Sequence, residues 1–237
     1  MRRLPAPTLY YAAEAWLSFA FAVTFTVSAV YFVQDVGMNP LELVLVGTFM
    51  ELAIFVFEIP TGVVADTFSR RLSIVVGWTI MGLGLVLAGL VAEVWAVWAG
   101  WAIWGLGYTF TSGAEQAWIT DEVGVERVGP VFARAHQFGY AGGLVGIGTS
   151  VAIASADLGL AVAAGGAFAS AFGIFAALTM PETGFRRRPA GERESALREL
   201  KTTAVNGRFP RLPKLLFDGA VDSRAFGGDV ASGALGA

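Results

Sequence analysis

Six long apolar runs divide the chain, at about 10–33, 42–64, 72–92, 95–117, 136–155 and 157–179, with short polar segments between them. A bilayer core of about 30 Å needs roughly 20 helical residues, so each run predicts a membrane-spanning helix. The expectation is an all-α polytopic membrane protein with six transmembrane helices. Its orientation follows from the cations. Arg2 and Arg3 precede the first run, Arg70 and Arg71 lie between the second and third, Arg127 and Arg134 lie between the fourth and fifth, and ten more follow the sixth. The loops after runs one, three and five hold Asp35, Glu42, Glu93 and Asp157 but no Lys or Arg. This is the positive-inside pattern, which predicts that the N- and C-termini are both cytoplasmic. Trp95 and Trp98 then suit the outer interface, and Trp118 with Tyr10 or Tyr11 the inner one.

Composition agrees with this pattern and narrows the chemistry. With 55% hydrophobic residues, 15% charged residues and a mean hydropathy of +0.63, the chain is too apolar for an ordinary soluble domain of 237 residues. It has no Cys and one His, which excludes a disulfide framework and a His/Cys zinc cluster, so neither a metal nor a cofactor is expected. The net charge of -3 and the membrane-flanking position of the cations leave no nucleic-acid footprint. Met1-Arg2-Arg3 before an apolar run is similar to a secretory signal, but the run is too long and contains Glu14, so a retained first span fits better. Residues 1–185 are expected to form the six-helix bundle and 186–237 a cytoplasmic linker or tail. Within that tail, 192–205 predicts a short surface helix with Glu194 and Arg198 at i, i+4. Beyond about 207 the periodicity fails, which predicts either a disordered tail or a truncated or frame-shifted reading.

The turn after the second run carries the most specific motif: Glu58-Ile-Pro-Thr-Gly62-Val-Val-Ala-Asp66-Thr-Phe-Ser-Arg70-Arg71. An acid close to the start of the next helix opposes that helix's positive end, and the two arginines hold the turn at the headgroups. Placed between the second and third of six spans, the phrase resembles the signature loop of the major facilitator superfamily. The segment from Ser112 to Arg134 is similar to the end of helix 4 and its following loop in drug-efflux-like members, and Pro181-Glu182 before Arg186, Arg187 and Arg188 is similar to the exit of helix 6. The resemblance covers about residues 8–205. It implies half of a twelve-helix transporter in the plasma or inner membrane, with lipid, a small-molecule substrate and a proton or other coupling ion as partners. It also implies a gating latch of Gly62, Asp66, Arg70 and Arg71 that closes against a second six-helix half or a second copy. Thr67 and Ser69 stand where the family has a basic residue and a glycine, and the fifth span lacks the antiporter Gly-Pro pair.

Polar and aromatic side chains recur at helical spacing inside the spans. Glu14, Ser18, Phe21, Phe25 and Ser28 share a face of span 1, and Trp104, Tyr108, Thr111, Glu115 and Trp118 share a face of span 4. Carboxylates facing lipid are costly, so these faces are expected to line a cavity, with Glu14, Ser18, Phe25, Trp104, Tyr108, Thr111 and Glu115 as its wall. Glu51 lies near mid-membrane on span 2, and no span holds a Lys or Arg. A carboxyl that holds a proton when occluded and releases it when wet can carry one through an alternating-access cycle, so Glu51 is the candidate for proton coupling. The lack of intramembrane cations disfavours anionic substrates and favours a neutral or cationic amphiphile, and the resemblance to drug-efflux-like members implies efflux. An inactive fragment is the alternative. An intramembrane protease using Ser112 and His136 is a different class and is disfavoured, because a solvated interfacial His explains His136.

Overall fold

The computed structural model describes residues 4–185, which form seven helices and, within that range, no strand. These are α1 Ala6–Gln34, α2 Pro40–Thr67, α3 Arg70–Leu90, α4 Val94–Thr111, α5 Ala114–Val123, α6 Val125–Ala154 and α7 Leu158–Thr179. The tail helix expected over 192–205 lies outside the described residues. By length and composition, four of the helices can cross a membrane: α1, α2, α3 and α7.

Local sequence sets the helix starts. Asn39 caps α2 in a reciprocal box, accepting from Leu41 N and Glu42 N while Glu42 Oε2 accepts from Asn39 N at 2.8 Å, and Pro40 follows at the first helical position. Ser69 caps α3 through Leu72 N at 2.9 Å, and Asp157 caps α7 through Leu160 N at 2.6 Å.

Two expected boundaries move. The run expected to span 95–117 is cut after Thr111, because Gly113 adopts φ +73°, the left-handed region that ends a helix and lets the chain turn into α5. Glu115 and Trp118 therefore belong to α5, and the face expected to continue from Trp104 to Trp118 is split between two helices. The fifth run, expected from 136, begins at Val125. Its first turns are polar, so hydropathy hides them, and Pro130 costs the helix one backbone hydrogen bond without ending it.

The helices pack as a curled row, with neighbours in the order α2, α4, α3, α7, α1, α6. The core has two clusters. One, at the α5 end, holds Leu9, Tyr10, Ile74, Trp78, Met81, Trp118, Ile119 and Phe172, and the other holds Val27, Tyr31, Phe32, Leu85, Val97, Trp101 and Val162. Trp104 packs against both. The α1–α6 seam rests on small residues, since a Cβ on Gly142 would lie 2.0 Å from Ala15 O and one on Gly146 2.5 Å from Phe19 O. At the two ends of the row, α2 exposes Leu52, Phe55, Val56 and Phe57, and α6 exposes Tyr140, Leu144, Val145 and Val151.

Candidate functional site

Polar groups gather in three places. The first is the α5 end of the bundle, where the α2–α3 turn, α5 and the exit of α7 are tied together. Ser69 Oγ, besides capping α3, donates to both oxygens of Glu182 at 3.0 and 2.9 Å, and Arg71 N donates to the same carboxylate at 3.1 Å. The Arg71 guanidinium donates to Ala177 O. Arg70 pairs with Asp121 of α5 and lies 5.9 Å from the ring centre of Phe185. Its Nε is buried without an acceptor among the described residues. Glu122 accepts from Thr183 N and Thr183 Oγ1 at 2.6 Å each and from Gly184 N at 2.8 Å. Trp118 Nε1 donates to Pro181 O at 2.8 Å. The segment 181–185 is thus a strap fixed by two carboxylates and an indole.

The second place is a groove along α1 and α6. A cavity of about 640 Å³ is lined by Tyr10, Glu14, Arg70, Asp121, Phe132 and His136, among others. A second, of about 440 Å³, is lined by Glu14, Ser18, His136, Gly139, Tyr140 and Leu144, among others. Glu14 and His136 line both, so the two meet at this pair. The third place is the aromatic wall where α1 faces α4. Phe25 meets Trp101 edge-on at 5.1 Å and Trp104 at 6.0 Å, Phe21 lies 5.9 Å from Trp104, and Trp104 stacks on Tyr108 at 5.5 Å and 12°.

The residues expected from sequence distribute among these places. Glu14 and Ser18 share the groove, and Phe25, Trp104 and Tyr108 share the wall. Thr111 is buried against Gly77 of α3. Glu115 is partly buried and accepts from Trp78 Nε1. Glu51 and Glu58 are exposed on α2, away from both cavities. Gly62 is exposed on α2 with nothing close to the position of a Cβ, and Asp66 is half-buried one turn later. Arg70 and Arg71 are engaged with α5 and α7. Three roles escaped the sequence reading: Glu122 as the anchor of the strap, Asp121 as the partner of Arg70, and Trp78 as the donor to Glu115. These contacts join residues 37 to 62 positions apart, and no local pattern announces them.

The model of the Major Facilitator Superfamily matches residues 14–225. No curated protein matches the chain. Among solved structures, a mutant form of the nucleoside transporter NupG is similar with a TM-score of 0.69 at 16% identity, over 86% of this chain and 51% of that one. A second structure of NupG is similar with a TM-score of 0.64 at 15% identity, over the same shares. The chain therefore spans about half the length of the transporters whose fold it shares.

Proposed function

Because the chain belongs to the Major Facilitator Superfamily, a family of membrane transporters rather than enzymes, we propose that it forms a six-span half of a secondary active transporter in the plasma or inner membrane. In this reading α1, α2, α3, α4, α6 and α7 cross the bilayer. The α5 end, which gathers Arg70, Arg71, Arg127 and Arg134, faces the cytoplasm with both termini. The half moves a small molecule by rocking against a partner half. The observation that carries this is the strap: residues 181–185, α5 and the α2–α3 turn are tied through Glu122, Glu182 and Asp121, so the bundle can rock as one body. Gly62 and Asp66 keep the part of a latch toward the other half, while Arg70 and Arg71 brace the turn from within.

The groove presents Glu14, Ser18 and His136, the Arg70 that also lines it is paired with Asp121, and the apolar runs hold no Lys or Arg, which favours a neutral or cationic amphiphile. The likeness of 112–134 to drug-efflux-like members favours efflux. Coupling is to protons, with Glu51 as the carrier. The test is reconstitution of the full chain in liposomes with an imposed pH gradient, following ethidium as the cation and quinoxaline as the neutral probe. Gradient-dependent movement of either is expected, and movement of neither overturns independent transport. A Glu51→Gln chain that keeps pH-driven movement removes the proton role from Glu51. The exposed apolar faces of α2 and α6 favour a second reading, in which this chain is inactive alone and transports only when joined to a second half or copy. Activity that appears only on co-reconstitution with such a partner selects that reading.

A further inference from the structure

Seven tryptophans offer seven indole N–H donors, and their fates differ. Trp16, Trp78, Trp98 and Trp118 donate to Phe168 O, Glu115, Glu42 O and Pro181 O. Trp95 is 58% exposed and needs no protein acceptor. Trp101 and Trp104 differ from all of these, since each Nε1 is sealed from solvent with no acceptor in reach among the described residues. Trp101 is only 8% exposed. A buried donor left unmade costs about 1–3 kcal/mol, and a native structure that keeps two side by side calls for an explanation. Both belong to the aromatic wall, their ring centres 6.1 Å apart. The wall has an open edge: Phe25 and Tyr108, which flank the two indoles, are 40% and 41% exposed. Exposed rings change rotamer freely on short timescales.

We infer that the α1–α4 wall is a binding site for a flat ring bearing hydrogen-bond acceptors, which enters when Phe25 or Tyr108 turns aside and accepts from the indole N–H of Trp101, Trp104 or both. The rings supply stacking and edge contacts, which favour a planar ligand, and the two donors select against a ring that carries no acceptor. A docked helix does not meet these requirements, because it lacks a flat face to slip between Phe25 and Trp104 and its backbone acceptors are already used within the helix. This rests on the transporter reading only for its purpose, as the substrate subsite, and not for the chemistry of the site.

The test uses the full chain with ¹⁵N-labelled indoles in detergent micelles, and two bicyclic probes of nearly the same shape. Quinoxaline carries two ring-nitrogen acceptors and naphthalene carries none. Quinoxaline is expected to move the indole proton of Trp101 or Trp104 downfield, as hydrogen bonding does, while naphthalene leaves both in place. The peaks are assigned with Trp101→Phe and Trp104→Phe, each of which weakens quinoxaline binding on the order of 2- to 10-fold, the worth of one hydrogen bond. Should both variants fail to fold, the shift on the unaltered chain still decides. No shift with quinoxaline, or an equal shift with naphthalene, overturns the site. Ethidium transport without any indole shift removes the site and leaves the transporter standing. A quinoxaline shift without transport of any probe keeps the site and removes independent transport.

Discussion

The α5 end and the α1–α4 wall bury polar groups in opposite ways. At the α5 end, Glu122 receives three donors and Glu182 receives donors from Ser69 and Arg71, while Asp121 meets Arg70. Charge-assisted bonds of this kind are about twice as strong as neutral ones, and they fix the positions of three chain segments at once. In the wall, two indole donors have no acceptor, and the rings around them pack by edge and face contacts that tolerate rearrangement. Saturated polar contacts make a rigid part, whereas unsaturated donors beside movable rings make an adaptable one. Within one small bundle, the region tied together by charged contacts is thus separated from the region that keeps unmet donors.

The largest test of this contrast removes the anchors of the strap. Replacing Glu122 and Glu182 together by Ala is expected to cost about 3 kcal/mol of stability, since hydrogen bonds to charged groups contribute about 1.5–3 kcal/mol each and solvent access reduces that here. Thermal unfolding of the purified chain in detergent measures the loss, and amide exchange over 181–185 locates it. An unchanged melting temperature with unchanged exchange would mean that the strap does not hold this end together.

A smaller effect separates bracing from gating at Arg70. The Arg70–Asp121 pair is partly exposed, at 19% and 30% for the two side chains, so breaking it with Asp121→Ala is expected to cost about 1 kcal/mol. Exchanging the charges, with Arg70→Asp and Asp121→Arg in one chain, recovers part of that loss if the contact lies within the bundle. A double exchange no more stable than the worse single variant would deny the bracing role.

Much of this architecture was legible in the sequence, and the exceptions have physical causes. The order of the long helices follows from the apolar runs, because a long apolar helix needs little beyond length and hydropathy, while the short α5 was not expected. Gly142 and Gly146, four residues apart, both face α1, whereas a Cβ on Gly143 would meet nothing. The break at Gly113 was hidden, because hydropathy is blind to one residue's φ. Glu14 and Ser18 share a face by spacing alone, and the structure keeps them together in the groove. The aromatic wall needed more, since Phe25 and Trp104 lie on different helices and no period within either one reveals their meeting. The strap was the least legible, because Glu122 and Glu182 become anchors only once α5 and the α7 exit are adjacent.

A subtler effect belongs to Ser69, which stands at a position where the family loop has glycine. Ser69→Ala removes a helix cap and a donor to Glu182 and is expected to cost about 1 kcal/mol. Ser69→Gly is expected to cost less, only a few tenths at the cap itself, because glycine serves tolerably at that position. Paired unfolding measurements check the order, and equal losses would assign the whole effect to the bond with Glu182.

The smallest expected effect is the most discriminating. Trp104→Phe, measured without ligand, is expected to change stability by less than about 1 kcal/mol, because the contact area it gives up is offset by removal of a buried donor that has no acceptor. The same substitution at Trp118 gives up similar area and also leaves Pro181 O without its donor, so it is expected to cost about 1 kcal/mol more. The two variants thus differ by one hydrogen bond that is made at the α5 end and absent from the wall. If Trp104→Phe instead costs as much as Trp118→Phe, the Trp104 donor is already satisfied in the ligand-free protein, and the contrast between a saturated end and an unsaturated wall no longer holds.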